Sequence, residues 1–174
     1  MNVILCGMMG AGKTTVGVKL AELTGRGWYD TDQMIVDKHG KISDIFEFYG
    51  EEHFRLLEGD VVKGFIGKDD LVISTGGGLV LREGNNEILK KNGVIVFLRA
   101  SLETLIKRLK IYENRPLLQA KSGIISQRLE ALMKERGPIY EEVADYIVDV
   151  DDESAEKTAK RIIQLLQLQV IDGE

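Results

Sequence analysis

The stretch from residue 7 to residue 15 carries the residue types that bind a nucleotide phosphate. Gly7, four further residues, Gly12, Lys13 and Thr14 have the spacing of a phosphate-binding loop. The glycines let successive backbone N–H groups surround a phosphate. Lys13 can reach the β- and γ-phosphates, and the Thr14 hydroxyl can supply one ligand to Mg²⁺. The spacing predicts a nucleotide site, and the alternative is a glycine-rich turn that binds nothing.

Two carboxylates, Asp30 and Asp32, follow the short apolar run Trp28–Tyr29. In a parallel sheet with helices on both faces, the carboxyl ends of the strands face the ligand crevice. One carboxylate there can hold water on Mg²⁺, while the other accepts the proton of a substrate hydroxyl. The alternative is a turn in which Asp32 caps the next helix.

Arg55 and Glu58 are three residues apart and would share one face of a helix. Glu58 can then hold Arg55 in position to bind a carboxylate through two hydrogen bonds. The alternative is an exposed ion pair that contributes little. Residues 136–140 are predicted to end a helix before the last strand, so Arg136 is either a second carboxylate-binding group or a charge at that helix end. The three glycines at 76–78 either admit a ligand close to the backbone or form a flexible turn.

Two further arginines belong to a polar segment at about 110–123 and to the helix before it. Arg115 lies inside this segment, before Pro116. Segments of this kind often form lids, and an arginine on a lid can neutralise charge on a transferring phosphoryl group. Arg108 precedes the segment on a predicted helix, where it either stacks on a purine or compensates the charge of the helix end.

The elements that position these residues are predicted from apolar runs that alternate with helical patterns. Their alternation predicts a parallel sheet with helices on both faces. Residues of about 31–66 interrupt the alternation with helical patterns only and predict a substrate-binding insertion. Ser101 is a predicted N-cap. The predicted strands are Val3–Cys6, Trp28–Tyr29, Leu71–Ile73, Val94–Leu98 and Tyr146–Val148.

Composition limits the class of protein. The length of 174 residues suits one domain, and 44% hydrophobic residues are enough for a core. A net charge of −5 argues against a general nucleic-acid binder. The single cysteine, Cys6, favours a reducing compartment, and no apolar run reaches the length of a membrane span. We therefore expect a cytoplasmic monomer without a leader or membrane segment.

In this order, the motifs resemble shikimate kinase from residue 2 to about 150. The resemblance rests on the phosphate loop at 7–15, Asp30-Thr-Asp32, Phe54-Arg55 with Glu58, the glycines at 76–78, Arg115-Pro116, and Arg136 with Tyr140. It implies ATP-dependent phosphorylation of the 3-hydroxyl of shikimate, which gives shikimate 3-phosphate and ADP on the route to chorismate and aromatic amino acids. It also implies a single kinase domain over 1–174. The implied fold is an α/β P-loop nucleoside-monophosphate-kinase-like three-layer fold, with a five-stranded parallel sheet of order 2-3-1-4-5.

The resemblance further implies a role for each matching residue. The implied catalytic residues are Asp32, Lys13 and Arg115. The implied ATP-binding residues are Gly10, Ala11, Gly12, Lys13, Thr14, Thr15, Arg108 and Arg115. The implied shikimate-binding residues are Asp32, Arg55, Gly76, Gly77, Gly78 and Arg136. Mg²⁺ would be bound by Thr14 and, through water, by Asp30.

Two departures and three alternatives accompany this interpretation, and the first departure is that Met8-Met9 replaces smaller or stiffer residues in the phosphate loop. The loop at 150–154, which often carries a proline or a basic residue in the family, is acidic here, so its adenine contacts are open. The chain could instead phosphorylate gluconate or a nucleoside monophosphate. A second alternative is a nucleotide-dependent switch, although the guanine-binding pattern Asn-Lys-x-Asp is absent from the sequence. The last is a relative without activity.

Overall fold

The computed structural model describes residues 1–112 and 122–171. In the described ranges strands and helices alternate along the chain, except that two helices follow the second strand and two helices lie between the fourth and fifth strands. The elements are β1 Asn2–Cys6, α1 Lys13–Thr24, β2 Gly27–Asp30, α2 Thr31–His39, α3 Ile42–Lys63, β3 Leu71–Ser74, a 3₁₀ turn Leu79–Leu81, α4 Glu83–Asn92, β4 Gly93–Arg99, α5 Leu102–Tyr112, α6 Ser122–Val143, β5 Tyr146–Asp149 and α7 Ala155–Leu166.

The five strands form one parallel sheet in the order β2-β3-β1-β4-β5. This confirms the predicted order. Every residue of β1 is buried, as expected for a central strand covered by helices on both faces. Because the strands are parallel, the phosphate loop after β1, Asp30 at the end of β2 and the glycines after β3 reach the same edge of the sheet.

The predicted strand-free stretch of about 31–66 contains α2 and α3. These two helices share a small apolar cluster, formed by Ile35, Ile45, Phe54 and Leu57, that is separate from the main core. Gly50 interrupts α3 with φ 81° and ψ 171°, a backbone conformation that glycine adopts without strain. None of the helices in the described ranges is long and apolar enough to cross a bilayer.

Helix α6 differs from the prediction. The sequence suggested that a helix ends within residues 136–140, but α6 continues through Pro138 to Val143. Arg136 and Tyr140 are therefore four residues apart on the same helix and share a face. The interpretation of Arg136 as a helix-end charge is wrong for this reason. Arg115, with most of the expected lid, lies outside the described residues.

Asn2 is a buried polar residue at the opposite edge of the sheet. Its side chain is fully buried and makes three hydrogen bonds to backbone groups. The amide nitrogen donates to the carbonyls of Lys68 (2.8 Å) and Asn92 (2.9 Å), and the amide oxygen accepts from the Leu71 N–H (3.0 Å). One side chain thus joins β1 to the segments that lead into β3 and β4.

We predict that Asn2→Ala lowers the free energy of unfolding by about 3 kcal/mol, because it leaves buried backbone groups without partners. Urea denaturation followed by circular dichroism measures the change. Gln164→Ala, at an exposed position on α7, is the matched control and should change stability by less than about 0.5 kcal/mol. Equal effects of the two substitutions would contradict the role of Asn2.

Candidate active site

The phosphate loop connects β1 to α1 and has the backbone that its glycines permit. Gly7, Gly10 and Gly12 have φ values of 139°, 81° and 94°, which disfavour any side chain. The ammonium group of Lys13 donates to the carbonyls of Gly7 (2.8 Å) and Met8 (2.9 Å). Burial lowers the Lys13 pKa from its usual value, although the nearby Cys6 and Asp32 oppose the shift. Lys13 is thus held at the loop where a phosphate would lie.

A cavity of about 550 Å³ lies beside this loop. Its size is within the range of small-molecule and cofactor sites. All six predicted ATP-binding residues of the loop line it, and so does Arg108. The other lining residues are Val16, Val150, Glu153, Ala155 and Thr158. The acidic loop at 150–154 therefore contributes to the same cavity. The sequence alone did not determine whether this loop lies near the nucleotide.

Arg108 joins two sides of this cavity. Its guanidinium donates to the Ala11 carbonyl (3.0 Å) in the phosphate loop and to the Val150 carbonyl (2.7 Å) after β5. Helix α5 continues beyond it to Tyr112. Both interpretations of Arg108, stacking on a purine and compensation of the charge at the helix end, stay predictions.

Asp30 connects the nucleotide side to α2. One carboxylate oxygen accepts from the Thr14 hydroxyl (2.8 Å), and the other accepts from the N–H groups of Asp32 (3.0 Å) and Gln33 (3.2 Å). Asp30, not Asp32, is the N-cap of α2. The alternative in which Asp32 caps the next helix is therefore wrong.

The oxygens of Thr14 and Asp30 fit a magnesium site. Mg²⁺ prefers oxygen ligands, keeps several waters and binds few protein carboxylates. Within residues 1–112 and 122–171, no three or more His, Cys, Asp or Glu side chains group as ligands for a metal ion. A magnesium ion here would therefore depend on these two residues, on water and on the nucleotide phosphates.

Asp32 packs directly on the glycine turn after β3. A Cβ atom on Gly76 would lie only 2.3 Å from Asp32 Oδ1, so a glycine is required for this approach. Oδ1 is buried and has no hydrogen-bond partner among the described residues. Burial raises the Asp32 pKa, and the neighbouring Asp30 adds to the rise, while Lys13 and Arg55 oppose it.

Arg55 packs on the other end of the same turn. A Cβ atom on Gly78 would lie 2.5 Å from its Nη1. The guanidinium donates to Glu58 (2.8 Å) and to Glu51 (2.8 Å). The predicted pairing of Arg55 with Glu58 is confirmed, and the pair is not an exposed one because the Glu58 side chain is only 1% exposed. Glu51 is a second partner that the sequence analysis missed, although its spacing of four residues from Arg55 signals it.

Arg136 and Tyr140 approach the middle of the turn from α6. The Tyr140 hydroxyl donates to the Gly77 carbonyl. Burial raises the Tyr140 pKa, and the positive charge of Arg136 opposes the rise. The hydrogen bond from Arg55 lowers the Glu51 pKa, and Arg136 helps to lower it. Arg136 therefore lies near Glu51, which is also a partner of Arg55. Its Nε atom is buried without a partner among the described residues.

The glycine turn thus brings the predicted substrate-side residues together. Three buried polar atoms around it lack partners within the described ranges, namely Asp32 Oδ1, Glu58 Oε1 and Arg136 Nε. Buried polar atoms are normally hydrogen-bonded, so such a group of exceptions marks a place where a polar ligand can bind. Thr31 also belongs to the site, because its hydroxyl accepts from the Gly76 N–H (2.8 Å). No sequence pattern identified it.

Comparison with known proteins assigns the chain to a family. The family model for shikimate kinase matches residues 9–167. The chain belongs to the shikimate kinase family. It is 42% identical to the shikimate kinase of Chromobacterium violaceum over 166 residues, which cover 95% of this chain and 89% of that protein.

Solved structures of the family have the same fold. The shikimate kinase from Acinetobacter baumannii, in complex with shikimate, is 42% identical, with a TM-score of 0.85 over 95% of this chain and 92% of that one. The enzyme from Bacteroides thetaiotaomicron is 32% identical, with a TM-score of 0.86 over 97% and 99% of the two chains. The predicted family and fold are confirmed, and the chain is a kinase of this family.

We predict that Gly76→Ala lowers kinase turnover at least about tenfold, because the new Cβ would displace the Asp32 carboxylate. A steady-state kinase assay measures the loss. Gly84→Ala, which meets no atom within 4 Å, is the matched control and should retain full turnover. Equal turnover in the two variants would show that the close contact with Asp32 is not needed.

Proposed function

We propose that this chain transfers the γ-phosphoryl group of ATP to the 3-hydroxyl of shikimate, giving shikimate 3-phosphate and ADP. Membership of the family supports this, as does the relative from Acinetobacter baumannii that was solved with shikimate. The observation that carries the proposal is the packing of Asp32 and Arg55 on the two ends of one glycine turn. In this proposal Asp32 accepts a hydroxyl proton and Arg55 binds the carboxylate, and the glycine turn lies between the two side chains.

The charges of the site fit an anion that carries hydroxyl groups. Shikimate has one carboxylate and three hydroxyls. Arg55 and Arg136 bind the carboxylate in this proposal, and Asp32 accepts hydrogen bonds from the hydroxyls. Glu51 and Glu58 fix the Arg55 guanidinium in advance and raise its pKa despite the opposing effect of burial, so little side-chain entropy is lost on binding.

The transfer step conserves atoms and charge. The 3-hydroxyl oxygen attacks the γ-phosphorus, the bond between this phosphorus and the β,γ-bridging oxygen breaks, and ADP leaves. The hydroxyl proton passes to Asp32. The raised Asp32 pKa makes this carboxylate a stronger base than an exposed one. Lys13 binds the phosphates and stabilises their charge, so the protein contributes alignment and electrostatic stabilisation.

Magnesium and the lid arginine complete the proposal. Thr14 would hold Mg²⁺ directly and Asp30 through water, in keeping with their hydrogen bond of 2.8 Å. When bound, the ion neutralises charge on the β- and γ-phosphates. Arg115 would contact phosphate from the segment at about 110–123, as the resemblance implies. The insertion at about 31–66 is the substrate-binding part of a single domain in this proposal.

The biological setting is also part of the proposal. The product would enter the synthesis of chorismate and the aromatic amino acids. We propose that the chain acts as a monomer in the cytoplasm and binds neither nucleic acid nor membranes. The net charge of −5 supports the exclusion of general nucleic-acid binding.

A coupled ADP-release assay with and without shikimate tests the function. We expect ADP release from ATP and Mg²⁺ only when shikimate is present, with shikimate 3-phosphate identified by mass spectrometry. Gluconate and nucleoside monophosphates are the competing acceptors. Preference for one of these would assign another small-molecule kinase activity, and hydrolysis that needs no acceptor would favour a nucleotide-dependent switch.

We predict that Asp32→Asn lowers kcat at least about 100-fold, because the amide cannot accept the hydroxyl proton. Far-UV circular dichroism should be unchanged. Asp37→Asn, on the exposed side of α2, controls for a change of charge on the same helix and should retain full kcat. Retention of activity by Asp32→Asn would remove Asp32 from the role of base.

We predict that Arg136→Ala raises the KM for shikimate at least about tenfold and changes the KM for ATP less than about twofold, since it removes one of two charge-assisted contacts with the carboxylate. Arg128→Ala, at an exposed position on the same helix, should leave both constants unchanged. A shikimate KM that does not respond would exclude Arg136 from carboxylate binding.

A further inference from the structure

We propose that Tyr140 is a positioning residue of the acceptor site, which is the part of the active site that binds shikimate. It would act by holding the peptide between Gly77 and Gly78 in place. Its hydroxyl is the point where α6 contacts the glycine turn after β3. This inference rests on the proposed function, because its effect is expressed in the binding of shikimate.

The packing of the protein itself fixes the Tyr140 side chain. The side chain is fully buried. Its ring stacks on Phe97 of β4, with ring centroids 5.1 Å apart and an interplanar angle of 28°. Burial raises the Tyr140 pKa to about 12, so the hydroxyl stays protonated and available as a donor throughout the range in which kinases are assayed. A rigid ring and a permanent O–H are the properties that a positioning group needs.

The hydrogen bond to Gly77 determines where the next N–H points. A trans peptide is planar, so the Gly77 carbonyl and the Gly78 N–H point in opposite directions. Because Tyr140 holds the carbonyl on the α6 side, the Gly78 N–H points away from α6. No backbone acceptor in the described ranges takes that hydrogen. The Cα of Gly78 packs on the Arg55 guanidinium, where the carboxylate of the substrate is expected.

The same hydroxyl lies beside Arg136, which partly offsets the rise of the Tyr140 pKa. Arg136 is one helical turn before Tyr140 on α6, and its Nε atom lacks a partner among the described residues. Tyr140 therefore contacts both the turn and the second carboxylate-binding arginine. Neither of these two contacts is with a residue of the phosphate loop, so we expect the main effect on the binding of shikimate.

Tyr140→Phe tests this role, since it keeps the ring on Phe97 and removes only the hydroxyl. We expect the KM for shikimate to rise about tenfold, as the loss of one buried hydrogen bond predicts. The kcat and the KM for ATP should change less than about twofold. The increase in Tm that saturating shikimate produces in the wild type should shrink, while the increase produced by ATP is kept.

Tyr146→Phe, at a half-exposed position on the edge strand β5, is the control for the loss of a phenol and should match the wild type in every measurement. An unchanged shikimate KM in Tyr140→Phe, or a parallel rise in both KM values, would overturn the positioning role. Wild-type protein with neither shikimate-dependent ADP release nor a shikimate-induced Tm shift would instead overturn the proposed function, and this inference with it.

Discussion

The carboxylate of Asp30 makes the hydrogen bonds that connect the nucleotide side of the site to the substrate side. One oxygen accepts from Thr14 at the start of α1, and the other caps α2. The start of α1, which follows the phosphate loop, and α2, which carries Asp32, are thereby held at a fixed distance. A capping interaction of this kind contributes about 1 kcal/mol. Its larger effect is geometric, because phosphoryl transfer depends on the alignment of donor and acceptor.

The glycine turn after β3 serves the acceptor side in a similar way. Three consecutive residues without side chains let Asp32, Tyr140 and Arg55 each contact the backbone from a different direction. The turn itself cannot move freely, because the Gly76 N–H donates to Thr31 and the Gly77 carbonyl accepts from Tyr140. The acceptor site is therefore built around backbone held by side chains from α2 and α6, and Arg55 of α3 packs against it.

Much of this fold was predictable from sequence because local patterns and their order along the chain coincide. The phosphate loop has fixed spacing, and the Ser101 cap of α5 is confirmed by its hydrogen bond with the Thr104 N–H (3.2 Å). The end of α6 was predicted wrongly, since proline usually disfavours a helix interior and tertiary packing overrides that preference here. Asn2, a polar residue just before the predicted start of β1, could not be recognised because its three partners are distant in sequence.

The candidate site was less predictable than the fold for the same reason. Its residue types were recognised, but the roles of Asp30 and Arg108 depend on distances between segments far apart in the chain. Asp30 caps α2 in place of Asp32, and Arg108 bridges Ala11 and Val150. Thr31 has no distinguishing pattern, since a threonine between two aspartates predicts nothing about Gly76. Contacts of this kind follow from the packed structure alone.

The contacts of Lys13 have a consequence for the release of product. Its ammonium group is partly buried and donates to two carbonyls of its own loop. A phosphate that takes this ammonium must replace those carbonyls, so the net gain in affinity is the difference between the two sets of contacts. These internal hydrogen bonds would compete with ADP for the ammonium group and so favour the release of the nucleotide.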